Sequence, residues 1–143
     1  MKTEYGAETF LGGFNCAQAV FSSFSEEYGL GAATALKIAG GLGSGARKGE
    51  LCGAVSGAVL VIGLKHGQQT KEDTGAKQKC AEETEEFMRR FLSANGSIVC
   101  RDLLECDVST LEGREKALAK KLFATRCKGF VVSAIEILED MGY

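Results

Sequence analysis

Six cysteines are the residues of this chain best suited to chemistry. They are Cys16, Cys52, Cys80, Cys100, Cys106 and Cys127. No two of them have the two-residue spacing of a zinc ribbon or of a thioredoxin-like dithiol. Thiolates ligate metals and exchange disulfides, so these residues indicate metal binding or thiol redox chemistry, provided that the fold brings them together.

The sequence context of four cysteines favours the thiolate form. Cys16 and Cys52 fall in the first turn of predicted helices, and both Cys100 and Cys127 have basic neighbours. Helix N-termini and adjacent cations stabilise thiolates. Cysteine is also a common small core residue, and these contexts alone leave both interpretations open.

The other two cysteines are predicted to be structural. Cys80 lies on the apolar face of an amphipathic helix, which favours a place in the core. Cys106 precedes Asp107 in a predicted loop, and we expect it to have no role at the site either.

A glycine-dense loop spans residues 40–49. Its segment 41–46 loosely matches a dinucleotide-binding fingerprint but follows no predicted strand, which argues against nucleotide binding. Lys48 is followed by Gly49 rather than by Ser or Thr, so the loop is not a phosphate loop. We expect it to border the cysteine site and to supply it with backbone N–H donors and with positive charge from Arg47 and Lys48.

Composition limits the classes of function. The chain has 143 residues, 45% of them hydrophobic, which predicts one globular domain over residues 1–143. A formal net charge of −2 without a basic stripe argues against nucleic acid as the main partner. The longest apolar run, 51–64, is shorter than the roughly 20 residues that a bilayer requires. No secretory signal opens the sequence, so we expect a cytoplasmic location, no membrane association and reduced thiols.

Helical periodicity and glycine stops predict an all-α fold, a multi-helix bundle with one glycine-rich loop. The predicted helices are 16–28, 32–39, 50–66, 71–94, 111–125 and 129–140, with a short helical turn at 100–105. Asn15 and Gln18 form a capping box in front of the first helix. Residues 59–62 are also compatible with a strand, but Gly53 and Gly57 one turn apart favour a helix that another helix approaches closely.

Side-chain positions follow from this periodicity. Leu118 and Leu122 are expected to face inward from the fifth predicted helix, as are Ala134 and Ile135 from the last. The lone histidine, His66, is expected at a solvated helix end.

The sequence resembles the C-GCAxxG-C-C family of redox-active proteins, which is named after its cysteine pattern. The matching segments are 13–20, 52–58, 95–97, 100–104 and 127–131. The central motif here reads Cys-Gly-Ala, where the family name has Gly-Cys-Ala. The resemblance implies that the hallmark cysteines are Cys16, Cys52, Cys100 and Cys127, and that Cys80 and Cys106 lie outside the pattern. It also implies a redox activity and, through a related part of split-Soret cytochromes, an iron–sulfur centre.

Three hypotheses follow. In the first, Cys16, Cys52, Cys100 and Cys127 converge on an iron–sulfur cluster or another thiolate-bound metal for electron transfer or redox sensing. In the second, the protein exchanges thiols and disulfides without a metal, with Cys52 as the attacking thiolate. In the third, it is a non-enzymatic helical binding module whose cysteines hold zinc or pack in the core. The sequence names neither a redox partner, nor an oligomeric state, nor a substrate.

Overall fold

α-Helices form the architecture of the computed structural model, which describes residues 1–143. The helices are α1 (Lys2–Leu11), α2 (Cys16–Ser25), α3 (Ala32–Ile38), α4 (Gly53–His66), α5 (Thr74–Asn95), α6 (Cys100–Leu104), α7 (Leu111–Ala119) and α8 (Lys128–Asp140). A 3₁₀ turn (Glu26–Tyr28) extends α2, and a π-helical turn (Phe123–Cys127) leads into α8. The all-α prediction is confirmed, and residues 59–62 are helical. None of the helices has both the length and the apolar composition needed to cross a membrane.

Several predicted helices have different bounds in the structure, and the helix predicted over 71–94 begins at Thr74. The helix predicted from residue 50 begins only at Gly53, because the residues before it are extended and pair with another segment. The helix predicted over 111–125 ends at Ala119, and Lys121 takes a left-handed conformation with φ 56°. A non-glycine residue with that backbone interrupts an α-helix, so the chain turns before it continues.

Helix α1 was not predicted. Its sequence is mostly polar and contains Gly6, and two of its large apolar side chains, Tyr5 and Leu11, are exposed. No apolar stripe therefore marks it at helical spacing. It packs instead against α2 and α8, so tertiary contacts stabilise it.

Helices α2 and α4 cross closely at the centre of the core, as Gly53 and Gly57 predict. A Cβ atom at Gly57 would lie 2.7 Å from the carbonyl oxygen of Ala17 and 2.9 Å from its Cα. A Cβ atom at Gly53 would lie 3.1 Å from the Cβ of Cys16. These glycines let the start of α2, and with it Cys16, lie against the start of α4.

The side-chain predictions for the last two helices are partly confirmed. Leu122 is buried, as are Ala134 and Ile135 of α8. Leu118 was expected to face inward but is 60% exposed, and Ala117 is buried instead. The helix ends before Leu122, so the spacing between the two leucines does not place them on one helical face.

Candidate functional site

Four cysteines from distant parts of the chain line one cavity of about 410 Å³. They are Cys16, Cys52, Cys100 and Cys127, all buried and all free thiols. Cys80 and Cys106 do not line this cavity. The structure therefore brings together the four cysteines that the family resemblance selects and leaves out the other two.

Cys16 is positioned by the capping box at the start of α2. The Asn15 side chain accepts from the Gln18 amide, and the Gln18 side chain accepts from the Asn15 amide, both at 2.8 Å. The Asn15 Nδ2 also donates to the carbonyls of Ala39 and Gly40, at 3.3 and 3.1 Å. The predicted cap is confirmed, and the same residue ties Cys16 to the beginning of the glycine loop.

Cys52 and Cys100 are positioned by an isolated antiparallel bridge between Leu51 and Val99. The Cys52 amide donates to the Ile98 carbonyl at 2.8 Å, and the Cys100 amide donates to the Glu50 carbonyl at 2.6 Å. Cys52 is then the N-cap residue of α4, and Cys100 is the first residue of α6. The bridge aligns two cysteines that are distant in sequence.

Cys127 lies where the π-helical turn meets α8, with helical backbone angles of −63° and −39°. The Nη1 of its neighbour Arg126 donates to the Leu103 carbonyl and to Glu105, both at 3.3 Å, and Arg126 is not among the groups that shift the pKa of Cys127. The basic residue next in sequence therefore does not act on the sulfur.

The glycine loop borders the site, as expected. Gly40, Gly43, Ser44 and Arg47 line the cavity, whereas Lys48 does not. The loop was also expected to supply backbone N–H donors to the cysteines. The amides that donate to the Cys52 sulfur are instead those of Ala54 and Val55, at the start of α4.

Backbone strain is concentrated in this loop. Ser44, Ala46 and Arg47 all have positive φ, at 54°, 54° and 68°. Such conformations cost about 1–3 kcal/mol each and cluster at functional sites. Gly45 lies between them, and a Cβ atom there would be 2.9 Å from the Cβ of Cys100. The loop therefore packs directly on one of the cavity cysteines.

Burial opposes ionisation of most of these thiols. It raises the pKa of Cys52 to about 11, against the opposing effect of the amides of Ala54 and Val55. Burial also raises the pKa of Cys100 to about 12, and the nearby Cys52 adds to the effect. The expectation that their contexts favour thiolates is wrong for these two residues, because desolvation outweighs the helix N-terminus and the neighbouring cation.

Cys16 and Cys127 act on each other's ionisation. The Cys127 thiol, together with burial, raises the pKa of Cys16 well above that of an ordinary thiol. The Cys16 thiol lowers the pKa of Cys127. Cys127 and not Cys52 is therefore the thiol whose surroundings favour the thiolate.

The donor set consists of four cysteine sulfurs that line one cavity. Thiolates are the ligands of iron–sulfur clusters and of many zinc sites, so the residue type fits either group. No group of three or more His, Cys, Asp or Glu side chains is arranged to hold a metal ion.

Three other residues considered in the sequence analysis, Cys80, Cys106 and His66, lie outside the cavity. Cys80 is half-buried against the core, and the Cys106 thiol donates to the Gly113 carbonyl at 3.3 Å. His66 was expected to be solvated, but it is half-buried, edge-on to the ring of Tyr143 and 3.8 Å from Glu83.

Arg114 is the cavity residue that sequence reasoning missed. Its guanidinium donates to the Ser44 hydroxyl at 2.8 Å, and its charge acts on Cys100. In the sequence it is one of several charged residues on a short helix. No local signal distinguishes it, because its position depends on the approach of the glycine loop.

Comparison with known proteins assigns a family. Residues 14–141 match the model of the family described as "Putative redox-active protein (C_GCAxxG_C_C)". The matched range contains all four cavity cysteines. No curated protein and no solved structure matches the chain.

Proposed function

Because the chain belongs to the C_GCAxxG_C_C family of redox-active proteins, we propose that its four cavity cysteines hold an iron–sulfur cluster for electron transfer or redox sensing. The observation that supports this proposal is that four separate elements each contribute one buried cysteine to the same cavity. When bound, such a cluster supplies reversible one-electron chemistry.

The residues of the chain provide the ligands and the surroundings. The capping box directs Cys16, the bridge directs Cys52 and Cys100, and the turn before α8 directs Cys127. The four cysteines are largely buried, and low solvent exposure is one of the determinants of a cluster's reduction potential. Arg47 and Arg114 place positive charge on the cavity wall, opposite the negative charge that four thiolates bring.

Ligation requires the thiols to lose their protons. Cys16, Cys52 and Cys100 hold theirs at neutral pH, because their pKa values are raised. Binding therefore releases protons, and we expect loading to become more favourable as the pH rises from 7 toward 9.

A second candidate function rests on Cys16 and Cys127, which line the same cavity and act on each other's pKa. In this function the Cys127 thiolate attacks a disulfide of a partner protein and forms a mixed disulfide, and one partner sulfur leaves with the proton of Cys16. The Cys16 thiolate then attacks the Cys127 sulfur, which releases the second partner thiolate and leaves a Cys16–Cys127 disulfide. The partner is reduced by two electrons and this protein is oxidised by two.

Cluster binding is tested by anaerobic reconstitution with iron and sulfide, followed by iron and sulfide analysis and visible absorbance. We expect wild-type protein to retain both elements, and Cys16→Ala, Cys52→Ala, Cys100→Ala and Cys127→Ala to retain little. The matched controls are Cys80→Ala and Cys106→Ser, which should load like the wild type. Cys80→Ala removes a half-buried group and should cost about 1 kcal/mol of stability. Equal loading of wild type and Cys52→Ala would contradict the proposal.

The two candidate functions differ in the number of cysteines that they need. Oxidation of metal-free protein with a small disulfide, followed by peptide mapping, detects a Cys16–Cys127 bond. The same variants are assayed for reduction of the small disulfide. If Cys16→Ser and Cys127→Ser abolish this reduction while Cys52→Ser and Cys100→Ser retain it, thiol–disulfide exchange replaces cluster binding as the function. A protein that neither loads iron nor forms this disulfide would have structural cysteines only.

A further inference from the structure

The arginines of this chain divide into two groups. Four of the six form ion pairs with carboxylates: Arg89 and Arg90 with Glu86, Arg101 with Glu50, and Arg126 with Glu105. The other two, Arg47 and Arg114, pair with no carboxylate. These two are the arginines that line the cysteine cavity.

Arg114 is held in place without being neutralised. Its Nη2 donates to the Ser44 hydroxyl at 2.8 Å, and its guanidinium lies over the Phe123 ring, 5.8 Å from the ring centroid. A guanidinium has five N–H donors, and Ser44 takes only one of them. The strained backbone of the loop presents both Ser44 and Arg47 to the cavity. Arginine side chains without a carboxylate partner are available to bind carboxylate or phosphate groups.

The rest of the cavity wall is largely apolar. Its large apolar side chains include Phe10, Leu11, Phe14, Leu118, Phe123 and Phe130. Leu11, Phe14 and Leu118 are also exposed, at 56%, 42% and 60%, so the cavity opens to solvent between apolar side chains. A volume of about 410 Å³ lies within the range of small-molecule sites.

We propose that this cavity binds a small organic anion beside the cysteines. Its carboxylate or phosphate is held by Arg47 and Arg114, and its apolar body lies against the aromatic and leucine side chains of the wall. The proposal concerns the cavity of the proposed redox function, but anion binding does not require that the thiols hold a cluster.

Calorimetric titration of the full-length chain tests this proposal, with the thiols reduced and in both metal-free and reconstituted forms. The probes are benzoate and phenyl phosphate, each with an uncharged counterpart, benzamide and phenol. We expect saturable binding of at least one anion at one site per chain in at least one form, with its uncharged counterpart at least about tenfold weaker. The two anions distinguish a carboxylate ligand from a phosphate ligand.

Arginine variants locate the site. Arg114→Gln and Arg47→Gln should each weaken anion binding by about tenfold. Arg126→Gln is the matched control, since Arg126 is exposed and does not line the cavity, and it should bind like the wild type. Arg47 is exposed and makes no side-chain hydrogen bond, so its variant remains informative if Arg114→Gln does not fold.

Three results would overturn the proposal: no saturable binding of either anion in either form, equal affinity for the uncharged counterparts, or unchanged affinity in the folded arginine variants. The last two would show that Arg47 and Arg114 only balance the charge of the thiolates. Iron content measured on the same samples reports the cluster separately, because it depends on the cysteine variants. Failure of the anion site is therefore distinguishable from failure of the redox function.

Discussion

Leu51 and Val99 face each other in an antiparallel bridge, and each is followed by a cysteine of the cavity. In such a bridge the flanking residues lie on one face of the pair, so Cys52 and Cys100 are diagonal neighbours. Two hydrogen bonds, from the Cys52 amide and from the Cys100 amide, close the bridge. A single pair of bonds between distant segments thus sets the relative position of two candidate ligands.

We predict that the backbone N–H hydrogens of Cys52 and Cys100 exchange slowly with solvent. Both amides belong to buried cysteines and are hydrogen-bonded within the bridge, so exchange requires the bridge to open. The reference is the Gln69 and Thr70 N–H groups, which lie in an exposed loop and donate no backbone hydrogen bond. They should exchange much faster. Hydrogen exchange followed by NMR measures both pairs. Equal rates would show that the bridge does not persist in solution.

Gly57→Ala should destabilise the protein by about 1–3 kcal/mol, because the new methyl group would press on the Ala17 backbone, which cannot rotate away. Gly63→Ala is the matched control in the same helix. No neighbouring atom lies within 4 Å of a Cβ atom at Gly63, so the added helix propensity should stabilise the protein by about 0.5–1 kcal/mol. Urea denaturation of both variants measures the difference. A loss of stability in Gly63→Ala similar to that in Gly57→Ala would contradict the close crossing of α2 and α4.

Asn15→Ala should cost about 2 kcal/mol, more than an ordinary helix cap. It removes the cap of α2 and also the donors to Ala39 and Gly40. Thr110→Ala removes only the cap of α7 and should cost about 1 kcal/mol. Chemical denaturation gives these values, and alkylation rates should show a more accessible Cys16 in the Asn15 variant alone. An unchanged alkylation rate would mean that the cap does not position Cys16.

The metal-free, reduced protein should lose stability as the pH rises above about 9. In the folded state the pKa of Cys52 is about 11 and that of Cys100 about 12, against 9.0 for an ordinary thiol. Below pH 9 both thiols are protonated in the folded and in the unfolded chain, so their contribution to the free energy of unfolding is complete. Between 9 and 12 the unfolded chain releases protons that the folded chain retains, so the free energy of unfolding falls.

Urea midpoints at pH 7, 9 and 10 measure this loss. The variant Cys52→Ala/Cys100→Ala should show a smaller decrease over the same range, although the raised pKa values of Cys16, Tyr28 and Tyr143 leave part of it in place. The lowered pKa of Cys127 acts in the opposite direction and offsets part of the loss in both proteins. A wild-type midpoint that is constant from pH 7 to 10 would contradict the burial of these thiols as a cause.

Much of the local structure could be predicted from the sequence. Asn15 and Gln18 predicted the cap of α2, Gly53 and Gly57 predicted the close helix crossing, and the family pattern selected the four cysteines of the cavity. Each of these signals either spans one or two helical turns or belongs to a family pattern whose segments follow one another along the chain. Interactions of that range are encoded by neighbouring residues and are therefore visible in the sequence.

Only the tertiary structure decided the surroundings of each residue, and with them its ionisation and its contacts. Burial raises the pKa of Cys52 and the Cys16 thiol lowers that of Cys127, because both effects depend on what packs around each sulfur. Arg114 reaches the cavity through Ser44, which is 70 positions away. The sequence by itself determined most of the helices and the residues available for chemistry. Burial, the Leu51–Val99 bridge and the charges around the cavity arise between segments distant in the chain, so only the folded chain determines them.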